Sequence, residues 1–304
     1  MRPLLTSLAA GLLLAVAADS IHADQGQEPF VEPPGEGVRW ARSAVSPFKS
    51  VAYTMRQTAG RAYLVRASTG RSHTELPDFE NYRDVQARKQ RFFGYLLPLV
   101  KEENQRLADI RQRLNYIHEH VRWHEAINME DRVWLEGVVE EFRIPEEDVQ
   151  SPAFWETALR RVDTLPEMLV LVQAANESAW GTSRFAREGN NLFGQWCFRQ
   201  GCGLVPQDRP AGATYEVARF DSVSESIGSY MHNLNTGYTY RELREIRAAM
   251  RANGRQPGAD ELARGLSSYS ERGQEYIDEL RSMIRHNAEV IEAVRNSEPS
   301  ESRS

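Results

Sequence analysis

The chain has 304 residues, with 37 Lys and Arg against 43 Asp and Glu, a formal charge of −6 and 41% hydrophobic residues. That composition suits a globular protein with a sizeable core, and it excludes electrostatic binding to nucleic acid, which needs a basic surface. Two cysteines exclude a disulfide-stapled scaffold and a metal site built from four thiolates.

Arg2, the mostly apolar run Leu4 to Val16, and the small-residue patterns Ala15-Val16-Ala17 and Ile21-His22-Ala23 have the layout of a secretory signal peptide over residues 1–23. The run is short for a membrane span, which needs about 20 apolar residues. The mature protein is therefore expected in an oxidising compartment, soluble and without stable membrane insertion. Residues 24–47 hold Gly, Pro, Glu and Ser without apolar periodicity and read as a flexible leader. Residues 48–130 read as a helical N-terminal region, irregular at first. From 77 to 125 apolar residues such as Phe92, Phe93, Leu96, Leu97, Val100 and Leu107 recur at spacings of three and four. Pro98 is expected to mark a kink or a helix start.

Residues 131–295 read as a second unit. A short helix is predicted over 131–142, ending before Pro145. Thr164-Leu-Pro-Glu167 has the form of a capping box for an apolar helix that ends by Gly181. Ser183 to Glu188 predicts a short helix, and Gly189 to Gly194 a loop. Alternation over 213–220 predicts a strand, in a small hairpin. Ser222-Val-Ser-Glu225 is a second capping box, and helices are predicted at 240–252, 259–266 and 272–294. The polar tail 296–304 is expected to be disordered.

Two groups of residues invite chemistry. His120 and His124 are four apart on a helix face, a spacing zinc accepts, with His118 nearby. The His-Glu-x-x-His order is absent and no third ligand is indicated, so no metal and no cofactor is expected. Glu177 stands near the C-terminal end of the apolar helix. The negative helix end and apolar surroundings both disfavour the anion and raise the pKa, as a general acid near neutral pH requires. By spacing alone a solvated surface glutamate explains the position better.

The motifs around Glu177 carry a resemblance. Gln173-Ala-Ala-Asn-Glu-Ser-Ala-Trp-Gly181, Ser183-Arg-Phe-Ala186 and Gly189-Asn-Asn-Leu-Phe-Gly194 resemble the bacterial endo-β-N-acetylglucosaminidases, glycoside hydrolases that cleave peptidoglycan. Leu76-Pro-Asp-Phe79, Lys89, Phe92-Phe93, Pro98-Leu-Val100, Asn104 to Arg111, Gly194 to Phe198 and Gly201 to Pro206 resemble the Bax branch of that family. The resemblance implies a mainly α (α+β) fold: a lysozyme-like helical lobe and small β-lobe around a glycan cleft, braced or partly covered by the N-terminal helices. It implies Glu177 as the acid that protonates the leaving oxygen.

The family's second carboxylate lies in the β-lobe, where Thr214-Tyr-Glu216 offers Glu216; Asp221 and Glu188 are weaker candidates. The substrate's own N-acetyl group is an alternative. Tyr269, in Ser-Tyr-Ser-Glu-Arg-Gly, resembles the family's cleft tyrosine, although many relatives have Tyr-Ala-Thr-Asp there. Asn190, Asn191 and Phe193 are expected to shape the cleft wall, with turn-making and sugar contact both open for the asparagines. Trp196 is read either as a stacking platform for a sugar or as a packing residue, and Trp180 as core. Cys197 and Cys202 are expected to form a local disulfide beside the cleft. The implied partner is a peptidoglycan glycan strand, met by a monomer in the periplasm of a Gram-negative bacterium. The alternatives are a lytic transglycosylase, an amidase, and a non-catalytic peptidoglycan-binding protein.

Overall fold

The computed structural model describes residues 76–297 except 125, 146, 147, 208 and 211. The signal peptide, the leader and the tail expected from the sequence fall largely or wholly outside the described residues. A 3₁₀ turn, Phe79–Asn81, leads into α1 (Val85–Arg122), whose first turn is capped by the Asp84 carboxylate accepting from Ala87 N–H at 2.6 Å. α1 continues unbroken through Pro98. The proline removes one hydrogen bond of the ladder. The buried stripe on both sides of it, Leu96, Leu97, Leu99 and Val100, keeps the helix in place.

α2 (Met129–Glu141) and α3 (Pro152–Arg161) follow. No sequence pattern above announces α3. Ser151 caps it, Pro152 opens it, and Phe154, Trp155 and Ala158 are its buried face. α4 (Glu167–Glu177) is buried almost all round, through Leu169, Val170, Leu171, Val172, Ala174 and Ala175, as a central helix must be. The expected Thr164 capping box does not form. Pro166 is the N-cap, with no side-chain bond, while Thr164 Oγ1 accepts from Arg251 at 3.0 Å and Glu167 pairs with Arg295 at 2.9 Å. Tertiary partners outcompete the local cap there.

After α5 (Arg184–Gly189) come β1 (Trp196–Cys197), β2 (Gly203–Leu204) and β3 (Glu216–Ala218). They form one antiparallel sheet of order β1-β3-β2, with Trp196 opposite Val217 and Leu204 on its other side. The predicted strand at 213–220 is thus the centre of a three-stranded lobe. α6 (Val223–Thr236) starts at Ser222, whose Oγ accepts from Glu225 N–H at 3.1 Å, as the second capping box predicts. α7 (Arg241–Ala252), α8 (Ala259–Ala263) and α9 (Gln274–Ser297) complete the chain.

One core runs from Phe79 to Val294, and α1, α4 and α9 pack on one another within it. The division drawn at 130/131 therefore crosses a continuous core. α1 also grips the lead-in to α4. Asn104 Nδ2 donates to Leu165 O at 2.8 Å, its Oδ1 accepts from Leu165 N–H at 2.9 Å, and Arg111 donates to Val162 O at 2.7 Å. The architecture is mainly α with a small β-lobe, and α1 fixes where α4 begins.

Candidate active site

Glu177 is the last residue of α4, and the chain leaves it through a left-handed turn. Ala179, Trp180 and Gly181 have φ of 51°, 61° and 78°. A non-glycine residue in that region costs about 1 kcal/mol or more. Hydrogen bonds offset the cost. Trp180 N–H donates to Ala175 O at 2.9 Å, Gly181 N–H to Ser178 Oγ at 2.8 Å, and Ser183 N–H to Ser178 O at 3.0 Å. The Trp180 ring packs edge-on against Phe92 and Phe93 of α1, with Lys89 Nζ 5.1 Å from its centre. The run Glu-Ser-Ala-Trp-Gly thus ends a helix and aims its glutamate in one direction.

The Glu177 side chain is half-buried. The Tyr276 hydroxyl donates to its Oε1 at 2.8 Å and Asn176 Nδ2 at 3.3 Å. Burial pushes the carboxyl above the ordinary carboxylate range, and those two hydrogen bonds pull against it. Arg272 lowers and Glu279 raises it more weakly. Oε2 has no hydrogen-bond partner among the described residues and is not one of the sealed polar atoms. A carboxyl biased toward protonation, with one oxygen pinned and the other open, has the geometry of a general acid.

The other sequence candidates divide sharply. Glu216 is 3% exposed. Its two oxygens accept from Gly201 N–H at 3.0 Å and Gly203 N–H at 2.8 Å, and Arg209 lies 4.0 Å away. Those backbone donors hold its carboxyl below the usual range. Glu216 is therefore an anion that ties down the loop closed by the Cys197–Cys202 disulfide, whose Cα atoms are 6.2 Å apart. The expected disulfide is present; the expected second catalytic carboxylate has its oxygens committed to backbone. Asp221 is exposed, and Glu188 pairs with Arg184 at 3.6 Å.

Asn191 and Phe193, expected on a cleft wall, are buried at 1% and 3% exposure. Asn191 Nδ2 donates to Gln195 O and Ala218 O, its Oδ1 accepts from Phe193 and Gln195 N–H, and the Phe193 ring stacks on Tyr230 at 3.9 Å. Asn190 is the left-handed C-cap of α5 and donates to Phe220 O at 3.1 Å. All three hold the loop together through these contacts. Trp196 keeps 46% of its surface exposed and meets Tyr215 edge-on.

Tyr269 spends its proton on Phe193 O at 2.9 Å and stacks on Tyr276 at 5.4 Å. The phenol that reaches Glu177 is Tyr276, which no sequence motif singles out, and behind it lie Gln173 and Tyr230. Gln173 sits four residues before Glu177 on the same helix face, a signal that helical spacing does provide.

Among the described residues, the one cluster with metal-ligand geometry is Cys197, Cys202 and Glu216. The disulfide leaves it no thiolate. His118 stacks on Trp155 and His120 Nδ1 lies 2.8 Å from Tyr116 O, but α1 ends at Arg122 and His124 follows it with φ of 58°, so the expected His120–His124 pair does not share a helix face. A concavity of about 550 Å³ elsewhere, between Phe79, Tyr82, Tyr95 and Val294, contains no carboxylate, histidine or cysteine. Chemistry, rather than cavity size, singles out Glu177.

Residues 153–289 match the family model Glucosaminidase, described as mannosyl-glycoprotein endo-beta-N-acetylglucosaminidase. Over 220 residues the chain is 31% identical to Protein bax of Escherichia coli (strain K12), covering 72% of this chain and 77% of that protein. The chain belongs to the glucosaminidase family. Within it, this is a Bax-type member, with the lysozyme-like, mainly α domain and small β-lobe described above. No solved structure matches it. The glucosaminidase segment runs from α3 into α9, so Glu177, the β-lobe, Tyr269 and Tyr276 lie inside it and α1 lies outside. Among the described residues no helix is long and apolar enough to cross a membrane.

Proposed function

We propose that this glucosaminidase is an exported peptidoglycan hydrolase that cleaves the β-1,4 bond after N-acetylglucosamine, with Glu177 as general acid. The observation that carries the reading is the half-buried Glu177 carboxyl, pinned at Oε1 and open at Oε2, inside the segment that matches the family. Oε2 gives its proton to the glycosidic oxygen as positive charge develops at the sugar carbon. With the Glu216 oxygens bound to backbone N–H groups, one-carboxylate chemistry is favoured. The substrate's N-acetyl oxygen attacks the sugar carbon as the leaving oxygen takes the proton. Water then opens that intermediate and returns a proton to Glu177. The exposed Trp196 ring offers a sugar a stacking face.

The disulfide fits an oxidising compartment, and hence export to the periplasm. The same single carboxylate also suits a lytic transglycosylase, in which a sugar hydroxyl replaces water and a 1,6-anhydro end results. The test is release of soluble fragments from purified sacculi by wild type and Glu177→Gln. Wild-type turnover is expected, with a loss of at least about 100-fold in the variant, which still sediments with sacculi. Free stem peptides would mean an amidase. Binding without turnover by folded wild type would mean a non-catalytic wall-binding protein.

A further inference from the structure

We infer that Tyr276, Gln173 and Tyr230 form a one-way hydrogen-bond relay that fixes which oxygen of Glu177 carries the acid proton. The inference rests on the reading of Glu177 as the acid, and it makes these three positioning residues.

The relay starts at Tyr230 of α6, which is buried and stacked on Phe193 at 3.9 Å, with rings 7° from parallel. Its hydroxyl donates to Oε1 of the buried Gln173. A phenol has one proton, so that end of the amide is set as the acceptor. The other end, Nε2, then faces Tyr276 and donates to its hydroxyl oxygen at 3.0 Å. Tyr276 accepts there, and its own proton goes to Glu177 Oε1 at 2.8 Å. The Tyr276 ring is held by Tyr269, stacked at 5.4 Å and 7°, which is itself tethered to Phe193 O. With Oε1 filled as an acceptor, the acid proton belongs on Oε2, the open oxygen. Turning the Gln173 amide over would present its carbonyl to Tyr276, take the Tyr276 proton, and strip Oε1 of its donor.

Burial raises the phenols of Tyr230, Tyr269 and Tyr276 above their ordinary value, so each keeps the proton the relay needs. The other titratable groups acting on Glu177 are Arg272 and Glu279, with Tyr240 packed nearby. None of them takes part in the relay bonds.

Tyr230→Phe tests the relay because Tyr230 makes no hydrogen bond to Glu177. Losing its proton frees the Gln173 amide to turn over, so it should act on Glu177 as Tyr276→Phe does. Two readouts separate relay from mere packing: the alkaline limb of the pH–rate profile, and the carboxyl titration of Glu177 by ¹³C NMR, assigned by its loss in Glu177→Gln. In both variants kcat is expected to fall about tenfold or more with KM little changed. In both, the Glu177 titration and the alkaline limb should move to higher pH, because a donor to the anion is gone. Movement in Tyr276→Phe alone would overturn the relay beyond its first link. Movement in neither would overturn it entirely. If Tyr230→Phe fails to fold, Tyr230→Met, which removes the same hydroxyl and keeps an apolar side chain, must give the same shift. The titration needs no turnover, so an inactive wild type would refute the proposed function while the relay is still judged on its own.

Discussion

Gly181→Ala should damage both stability and activity, and the structure sets the size of the effect. A Cβ built on Gly181 would stand 2.6 Å from Phe79 Cδ2, 3.1 Å from Phe79 Cε2 and 3.3 Å from Phe92 Cε2. Phe79 is 1% exposed and wedged edge-on against Phe92 and Tyr95, so it has little room to yield. Forced overpacking of this kind costs about 1–3 kcal/mol. The φ of +78° adds about 1 kcal/mol for alanine. Together the loss is about 2–4 kcal/mol, or roughly 4–16 °C in Tm for a domain of this size. Urea unfolding and calorimetry check it, with Gly137→Ala as a paired control. Gly137 is inside α2, and a Cβ added there would meet nothing within 4 Å, so alanine should stabilise by up to about 1 kcal/mol. The same substitution at Gly181 should lower turnover, because the turn that aims Glu177 must shift. A loss below about 1 kcal/mol at Gly181 would refute the argument that this close approach requires glycine.

Three further outcomes follow from buried charge. Asp163→Asn should cost about 3–5 kcal/mol in chemical denaturation. Asp163 is the bidentate partner of Arg251 at 2.6 Å and lies 3.5 Å from Arg247, which is 1% exposed and would be left a buried, uncompensated cation. Glu177→Gln should raise Tm at neutral pH. The folded carboxyl is raised by burial, so its favourable contribution holds at low pH and is lost as pH rises through the folded value; the gain from Gln should therefore vanish in acid. Glu216 has the opposite sign. Its folded carboxyl is depressed by the Gly201 and Gly203 N–H groups, so its contribution is present above the unfolded carboxylate value and lost as pH falls through the folded one. Glu216→Gln should thus lower Tm most at neutral pH and least in acid. Reducing the adjacent disulfide, of sequence separation 5, should cost about 2 kcal/mol more, read as a Tm shift with and without reductant.

The helices with clear period and a side-chain cap are legible in the sequence. Ser183 and Ser222 cap α5 and α6 where their patterns place them. Thr164 does not cap α4, because Arg251 reaches its hydroxyl and Arg295 takes Glu167, long-range partners that no local pattern announces. α3 escapes notice because its buried face is only three residues wide. Pro98 reads as a boundary because local propensity ignores the packed stripe that carries α1 past it.

Around Glu177 the sequence places the elements and not the direction in which their side chains point. Glu216, at the start of β3, and Asn191 and Phe193, in the loop after α5, each turn their polar atoms or ring inward. Direction of burial is a tertiary property. Tyr276 is hidden by its neighbour Tyr269: they lie seven positions apart with a helix start between them, and only the folded chain shows which phenol meets the carboxylate.

The most direct measurement of the central claim is mass spectrometry of borohydride-reduced products from peptidoglycan sacculi, for wild type and Glu177→Gln. Glucosaminidase action with Glu177 as the acid predicts fragments ending in reduced N-acetylglucosamine from wild type and none from the variant. Anhydro-muramic ends, or equal product from the Glu177→Gln protein, would contradict it.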